Sequence, residues 1–271
     1  MKKYLSGVLF LAIFFLLGSA FIGKAKNKVK RDKAKKEIVV STWNIGHFAN
    51  GKQKETLIKP DQYKTKLKEY RAMIYDTISA DIIGINEYSA VFAKNKRNKE
   101  IFSSNMLFNK YVYGKEDNES WICNSYFSDF EMTNYKRHTF ECSKSFVSKD
   151  PRVALFHYVS ADTDLDGENV KFVFVHLVSR QPSLCQLQIE ELITKYKGYK
   201  KVVMLGDWNT WDWSKFKKAG YLLANDGSLI TFPSKKYALD NVIVKGLKIS
   251  DVRVIKSDLS DHYPLVCKIS L

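Results

Sequence analysis

The chain predicts an α/β protein with one principal domain, and three observations carry that expectation. Short, β-rich apolar runs alternate with segments whose apolar residues recur at helical spacing. No internal repeat and no Pro/Gly-rich linker interrupts the stretch from Glu37 onward, so 37–271 reads as a single domain. Several apolar runs end in a carboxylate, amide or imidazole, and the strand ends of α/β sheets are where such proteins gather ligands. At 271 residues, with 45% hydrophobic residues, the chain can bury a large core and carries no compositional sign of disorder.

Residues 1–23 form a targeting or anchoring segment. Lys2 and Lys3 precede an apolar stretch whose densest part is Val8 to Leu17, followed by Gly18, Ser19 and Ala20. This pattern fits a signal peptide cleaved after Ala20, and equally an uncleaved helix long enough to span a bilayer. Residues 24–36 make a basic linker with almost no apolar side chains, suited to contact with an anionic membrane surface. The expected location is therefore exported or membrane-anchored. The excess of Lys and Arg after the apolar segment works against a simple outward orientation and leaves the side of the membrane open.

Charge is unevenly placed. Ten Lys or Arg against Asp32 give 1–36 a charge of +9, leaving +6 of the total +15 on the rest. That balance suits a phosphate-bearing or polyanionic partner as well as a lysine-rich solvated surface. Nothing in the sequence identifies a protein partner. Cys123, Cys142, Cys185 and Cys267 fit either two disulfides, with Cys123–Cys142 the first pairing to consider, or four scattered thiols. None has the paired spacing of a zinc site.

From Glu37 the elements follow in order. Ile38-Val39-Val40-Ser41-Thr42-Trp43-Asn44 is a β-rich run ending at an amide and Gly46. Over 61–79, Tyr63, Leu67, Tyr70, Ile74 and Ile78 lie at helical spacing. Residues 81–87 read as a buried strand ending at Glu87. The Lys-, Asn- and aromatic-rich stretch 91–148 shows only short strand signals at 121–123 and 135–140, and loops of this kind often shape specificity. Strand character resumes at 153–159, Asp164-Leu165-Asp166-Gly167 supplies a hairpin turn, and 170–178 is a strand bearing His176. A helix follows Arg180, and Val202-Val203-Met204-Leu205 is an apolar run that Gly206 releases into Asp207 and Asn209. Closing strands are expected at 239–244, 252–255 and 263–269.

The polar groups at these ends are Asn44, Glu87, His176, Asp207, Asn209, Asp240, Asp261 and His262. Hard oxygen donors suit Mg²⁺, with Mn²⁺ or Ca²⁺ as alternatives, rather than zinc or copper. A cation beside a water-orienting carboxylate and a histidine is equipment for phosphoester hydrolysis. No nucleophile elbow and no glycine-rich phosphate loop competes with it.

Six segments appear in order: Thr42-Trp43-Asn44-Ile45, Ile85-Asn86-Glu87, Val175-His176-Leu177, Gly206-Asp207-Trp208-Asn209, Leu239-Asp240-Asn241-Val242 and Ser260-Asp261-His262-Tyr263-Pro264-Leu265. Together they resemble the motif series of the endonuclease/exonuclease/phosphatase superfamily, which includes deoxyribonuclease I, abasic-site endonucleases, inositol-phosphate phosphatases and bacterial sphingomyelinases. The resemblance covers nearly all of 37–271. It implies a four-layered α/β sandwich, with two packed central β-sheets flanked by helices. It also implies that Glu87 is the principal metal ligand, with Asn44 and Asp261 beside it. By the same resemblance Asp207 aligns the attacking water, Asn209 bonds the phosphoryl oxygens, and His262 acts at the phosphate, oriented by Asp240. His176 resembles the second histidine of the deoxyribonuclease and sphingomyelinase branches. Arg152 and Arg180 are weaker candidates for phosphate contact, or for structural salt bridges.

Departures narrow the expectation. Asn86 replaces a common Gln, Trp208 a common Phe, and Gly46 stands where the abasic-site branch has an acidic residue, which argues against that repair role. No carboxylate partner for His176 is identifiable. Outside the resemblance, His176 would read as a core histidine and 261–264 as a turn, the status that His47, His138 and His157 keep. Trp43, Trp208, Trp211 and Trp213 read as packing residues, any exposed member being able to stack on a base or meet a lipid. The expected function is a metal-dependent phosphodiester hydrolase with nucleic acid as the favoured substrate. The alternatives are a phospholipid or sphingomyelin phosphodiesterase and a catalytically silent member of the family.

Overall fold

The structure, a computed structural model, describes residues 36–46, 63–89, 108–113, 122–147 and 157–271. The apolar segment 1–23, the linker short of Lys36, His47, Asp61, Trp121, Arg152 and 153–156 lie outside the described residues. Among the described residues no helix is long and apolar enough to cross a membrane.

The first half of the chain runs β1 (Glu37–Asn44), α1 (Tyr63–Ala72), β2 (Ile82–Ser89), β3 (Phe108–Tyr113) and β4 (Ile122–Ser128). Next come β5 (Thr133–Thr139), α2 (Glu141–Val147), β6 (His157–Leu165), β7 (Glu168–His176) and α3 (Pro182–Tyr196). The remainder is β8 (Val202–Asp207), α4 (Ser214–Lys218), β9 (Leu222–Leu223), β10 (Asp240–Lys245), β11 (Lys248–Val254) and β12 (Leu265–Ser270). The helix expected over 61–79 ends differently from an ideal α-helix: Met73–Ile78 is a π-helical turn, closed by left-handed Ser79, whose N–H donates to Ile74 O. Tyr70, Ile74 and Ile78 are buried as their spacing requires. Pro182, at the first turn of α3, suits a position where no helical N–H is needed. The stretch 91–148, barely legible in sequence, supplies β3, β4, β5 and α2.

One sheet has the order β11-β12-β1-β2-β4-β3 and the other β5-β6-β7-β8-β10-β9. In each, one central pair is parallel, β1 with β2 and β7 with β8, and the crossover carries α1 or α3. Every other neighbour is antiparallel. The two sheets thus share one plan.

Between the sheets lies an apolar seam. Ile38 and Val40 of β1, Ile82 of β2, Phe172 and Phe174 of β7, Val203 and Leu205 of β8, and Val242 and Val244 of β10 all belong to it. Residues of the opposite parity face outward: Ile83 and Ile85 join Tyr70, Ile74 and Ile78 beneath α1. Val173, Val175 and Met204 join Leu184, Ile189 and Leu192 of α3 and Phe216 of α4. Helix, sheet, sheet, helix is the expected four-layered sandwich.

Close approach sets two glycines. A Cβ on Gly84 would lie 3.1 Å from Leu205 and 3.2 Å from Phe174, a tight fit that those two side chains would have to yield to by a few tenths of an ångström. Gly206 (φ +151°) pairs with Val175, and a Cβ there would fall 1.9 Å from the Val175 carbonyl oxygen. Cys142, Cys185 and Cys267 are free thiols, so Cys142 forms no bridge with Cys123. We expect Gly206→Ala to destabilise the fold by more than about 2 kcal/mol, read from its urea-denaturation midpoint, because backbone rather than a yielding side chain opposes the new methyl.

Candidate active site

Side chains alternate across a strand, so each seam row can be followed to its end. The row Val40-Thr42 of β1 ends at Asn44, Ile82-Gly84 of β2 at Asn86, Phe172-Phe174 of β7 at His176, and Val203-Leu205 of β8 at Asp207. The row Val244-Val242 of antiparallel β10, followed backwards, ends at Asp240. Polar groups therefore collect where the apolar seam reaches one rim of the sandwich. All five are buried.

Glu87 breaks the alternation. By parity it belongs with Ile83 and Ile85 under α1, yet β2 changes register between Ile85 and Tyr88, and Glu87 has left-handed backbone at φ +53°. The irregularity turns the carboxylate toward the rim, where Asn44 Nδ2 donates to Glu87 Oε1 at 3.2 Å and to Asp207 Oδ2 at 3.0 Å. Strain of this kind in a polar residue at a site is a functional signal.

Asp207 is the centre. Its Oδ2 lies 3.5 Å from His176 Nε2 and 3.8 Å from His262 Nε2, while its Oδ1 accepts the Asn209 N–H at 2.9 Å. Glu87 Oε1 is a further 3.9 Å from His176 Nε2, so the carboxylate neighbours that sequence did not reveal for His176 are Asp207 and Glu87. Asn209, left-handed at φ +49°, donates its side-chain N–H to Leu177 O at 3.0 Å, which ties the turn to the end of β7. Asp261 lies at the end of β1, its Oδ1 3.4 Å from Ser260 Oγ and close enough to Gly46 that a Cβ there would be 3.0 Å away.

His262 is held on every side. Its Nδ1 and Asp240 Oδ2 are 2.7 Å apart, its N–H donates to Ser260 Oγ, and its carbonyl oxygen accepts the Trp43 indole N–H. Ser260 Oγ donates in turn to Asn44 O at 2.7 Å, and Phe232 covers the imidazole at a ring separation of 4.7 Å. Burial alone would lower the imidazole pKa. The Asp240 and Asp207 carboxylates, the hydrogen bond to Asp240 and the charge of Asp261 outweigh it and raise it to about 10. Burial pushes the Asp240 carboxyl up, against the pull of His262. The form the geometry favours is imidazolium with carboxylate, because Asp207 stands on the far side of the ring.

Three contributors were not legible as site residues. Asn86 donates to Val175 O at 2.7 Å and to Asn124 Oδ1 at 2.9 Å, and accepts the Asp207 N–H at 2.8 Å, so one amide clamps β2 to both β7 and β8. Thr231 Oγ1 accepts the N–H groups of Leu239 and Asp240, and Ser260 links His262 to β1 as described. Asn86 had a usable signal, an amide on the inner face of an otherwise apolar strand; Thr231 had none. The other described histidines lie elsewhere on the second sheet, His138 bonded to Ser160 and His157 to Thr139. Arg180 is exposed just ahead of α3.

Among the described residues one group of three His or carboxylate side chains brings its ligand atoms within 4.8 Å of one another, Asp207, Asp240 and His262. Asp240 and His262 are already bonded to each other, so a cation between them would have to displace their proton. Counted together, the carboxylates of Glu87, Asp207, Asp240 and Asp261 exceed the charge that the imidazoles return. Oxygen donors with surplus negative charge fit a hard divalent cation.

Asn86→Ala should cost about 2–4 kcal/mol in chemical denaturation, since it strands the Asp207 N–H and the Val175 carbonyl together. The raised His262 pKa fixes a second outcome. Its stabilisation is fully present below the ordinary value of 6.5 and is lost as pH rises through about 10. In chelator, the wild-type denaturation midpoint should therefore fall between pH 7 and 10 more steeply than that of His262→Gln.

No family model matches the sequence, and no curated protein matches it either. Solved structures do match in three dimensions. An endonuclease/exonuclease/phosphatase from Beutenbergia cavernae superposes with TM-score 0.64 at 13% identity, over 88% of this chain and 72% of its own. TDP2 from D. rerio, solved with a single-strand DNA product, gives 0.63 at 14% identity over 88% of this chain and all of its own (100%). The human Nocturnin catalytic domain, with bound sulfate, gives 0.62 at 14% identity over 88% and 96%. With two packed mixed sheets, flanking helices and these neighbours, the chain has the fold of the endonuclease/exonuclease/phosphatase superfamily.

Proposed function

We propose that the protein is a divalent-metal-dependent phosphodiester hydrolase whose favoured substrate is nucleic acid. The observation that carries this reading is the position of Asp207 Oδ2, 3.5 Å from His176 Nε2, 3.8 Å from His262 Nε2 and 3.0 Å from Asn44 Nδ2. Two imidazoles and a carboxylate around one point can bind a phosphate and serve an attacking water together. A likeness in fold to TDP2, whose structure holds a single-strand DNA product, supports the substrate class.

In this reading Asp207 orients a water and accepts its proton through Oδ2. The protonated His262 donates from Nε2 to a phosphoryl oxygen, where charge builds as the water adds. Asp240 keeps the other nitrogen occupied, so the ring cannot turn its proton away. His176 donates to the phosphate or to the departing oxygen, fixed at the end of β7 beside Asp207. Asn209 bonds the phosphoryl oxygens from a turn anchored on Leu177. Glu87, with Asn44 and Asp261, would hold Mg²⁺, or Mn²⁺ or Ca²⁺ in its place, which when bound neutralises phosphate charge. The apolar segment and basic linker at 1–36 support a place at or beyond a membrane, with an anionic surface as the contact.

The test is a substrate panel on the full-length protein: single-stranded and plasmid DNA, RNA, sphingomyelin and a chromogenic phosphodiester, each with Mg²⁺ and with chelator. Metal-dependent cleavage of nucleic acid is expected. Asp207→Ala and His262→Gln should each lower turnover at least ~100-fold with an unchanged circular dichroism spectrum. Preferred turnover of sphingomyelin would move the substrate to lipid, and inertness of the whole panel would sink the enzyme reading.

A further inference from the structure

Beside the rim stand two large aromatic side chains that the core does not use. Trp211 is 62% exposed and Tyr237 40%, and their rings lie 4.7 Å apart at 32°. Nearby Trp213 serves packing, buried against Trp208, so the exposure of Trp211 is not a feature of the whole loop. Leaving an indole in water forgoes its burial energy, and an aromatic so placed next to a polar site invites a ligand.

Both rings are rigidly tied to the site. Trp211 follows Asn209 by two residues, and between them buried Thr210 accepts the Asp212 N–H at 3.1 Å. Tyr237 sits at one end of a tight turn closed by reciprocal bonds, Phe232 N–H to Tyr237 O at 2.8 Å and Tyr237 N–H to Phe232 O at 3.1 Å. The other end of that turn is Phe232, the ring that covers His262. One backbone-paired turn therefore carries Phe232, whose ring lies on His262, at one end and Tyr237, whose ring meets Trp211, at the other. The tip of the same turn presents Ser234, Lys235 and Lys236 to solvent.

We infer that Trp211 and Tyr237 form a stacking platform for an unpaired base of a single-stranded nucleic acid, with Lys235 and Lys236 beside its backbone, an inference that rests on the phosphodiesterase reading. A π-face offered next to mobile cations matches the sequence-tolerant recognition of single strands. The two ammonium groups at the tip would also meet an anionic lipid surface, and the vesicle measurement below separates that occupant from a strand. The platform lies outside the reacting groups, so it acts on affinity and substrate choice rather than on bond cleavage.

The experiment uses the full-length protein in chelator, so that no strand is cut, with fluorescence anisotropy of a labelled single-stranded oligonucleotide. Trp211→Ala should weaken binding about tenfold, the loss of one stacked base, and Trp211→Phe should recover most of it. An oligonucleotide of equal length made of abasic residues should bind wild type and Trp211→Ala alike. Equal losses on both strands, no loss on either, or failure of wild type to bind the base-bearing strand would each overturn the platform. So would Trp211-dependent binding to phosphatidylserine vesicles with the oligonucleotide unaffected. Base-dependent binding that survives while no substrate is cleaved with Mg²⁺ would refute the hydrolase alone.

Discussion

Phe174 and Leu205 of one sheet pack closely over Gly84 of the other, part of the apolar seam that holds the two sheets face to face. The rest follows from that seam. Where the seam is deep, its rows are Val, Ile, Leu and Phe; where it opens, the same rows continue as Asn44, Asn86, His176, Asp207 and Asp240. Packing thus does the positioning, because an imidazole or carboxylate at the end of a close-packed row inherits the rigidity of the row. Asn86 adds the one directional tie, a single amide that bonds both β7 and β8 from β2.

Burying so many ionisable groups at a rim is costly unless each finds a partner. Here the partners are mutual. Asp240 and His262 are hydrogen-bonded to each other, Asn44 joins Glu87 to Asp207, and Ser260 ties the His262 backbone to β1. The surplus of carboxylate left after these pairings is what makes a cation a natural complement rather than an addition. Asp240 first, then Asp207 and Asp261, give His262 its basicity, since burial by itself would have pushed the imidazole the other way.

Much of this arrangement is legible in the sequence. Period and residue type located β1, β2, β7, β8, β10 and β12, and with them the strand-end positions of Asn44, His176, Asp207 and Asp240. What sequence could not contain was facing. Glu87 reaches the rim through a register shift and a left-handed turn that no local pattern announces. Asn86 looked like a packing substitution until the second sheet supplied its partners. Thr231 and Phe232 act on Asp240 and His262 from a turn whose only sequence signature is a proline. The short α4 and β9 lie where the alternation is too brief to register, and the π-helical turn at Met73–Ile78 uses the same residues an α-helix would.

The strand orders carry one last implication. One sheet is continuous in the chain, β5 through β10, while the other takes β1 to β4 from before it and β11 and β12 from after it. On a ribosome β1 must therefore wait, with the edge that β12 will pair left open, until the whole intervening sheet has been made. Such an open edge invites pairing with other chains, a hazard that ends when β12 docks. The same docking delivers His262, so Asp240 gains its imidazole partner only once the sticky edge has been sealed.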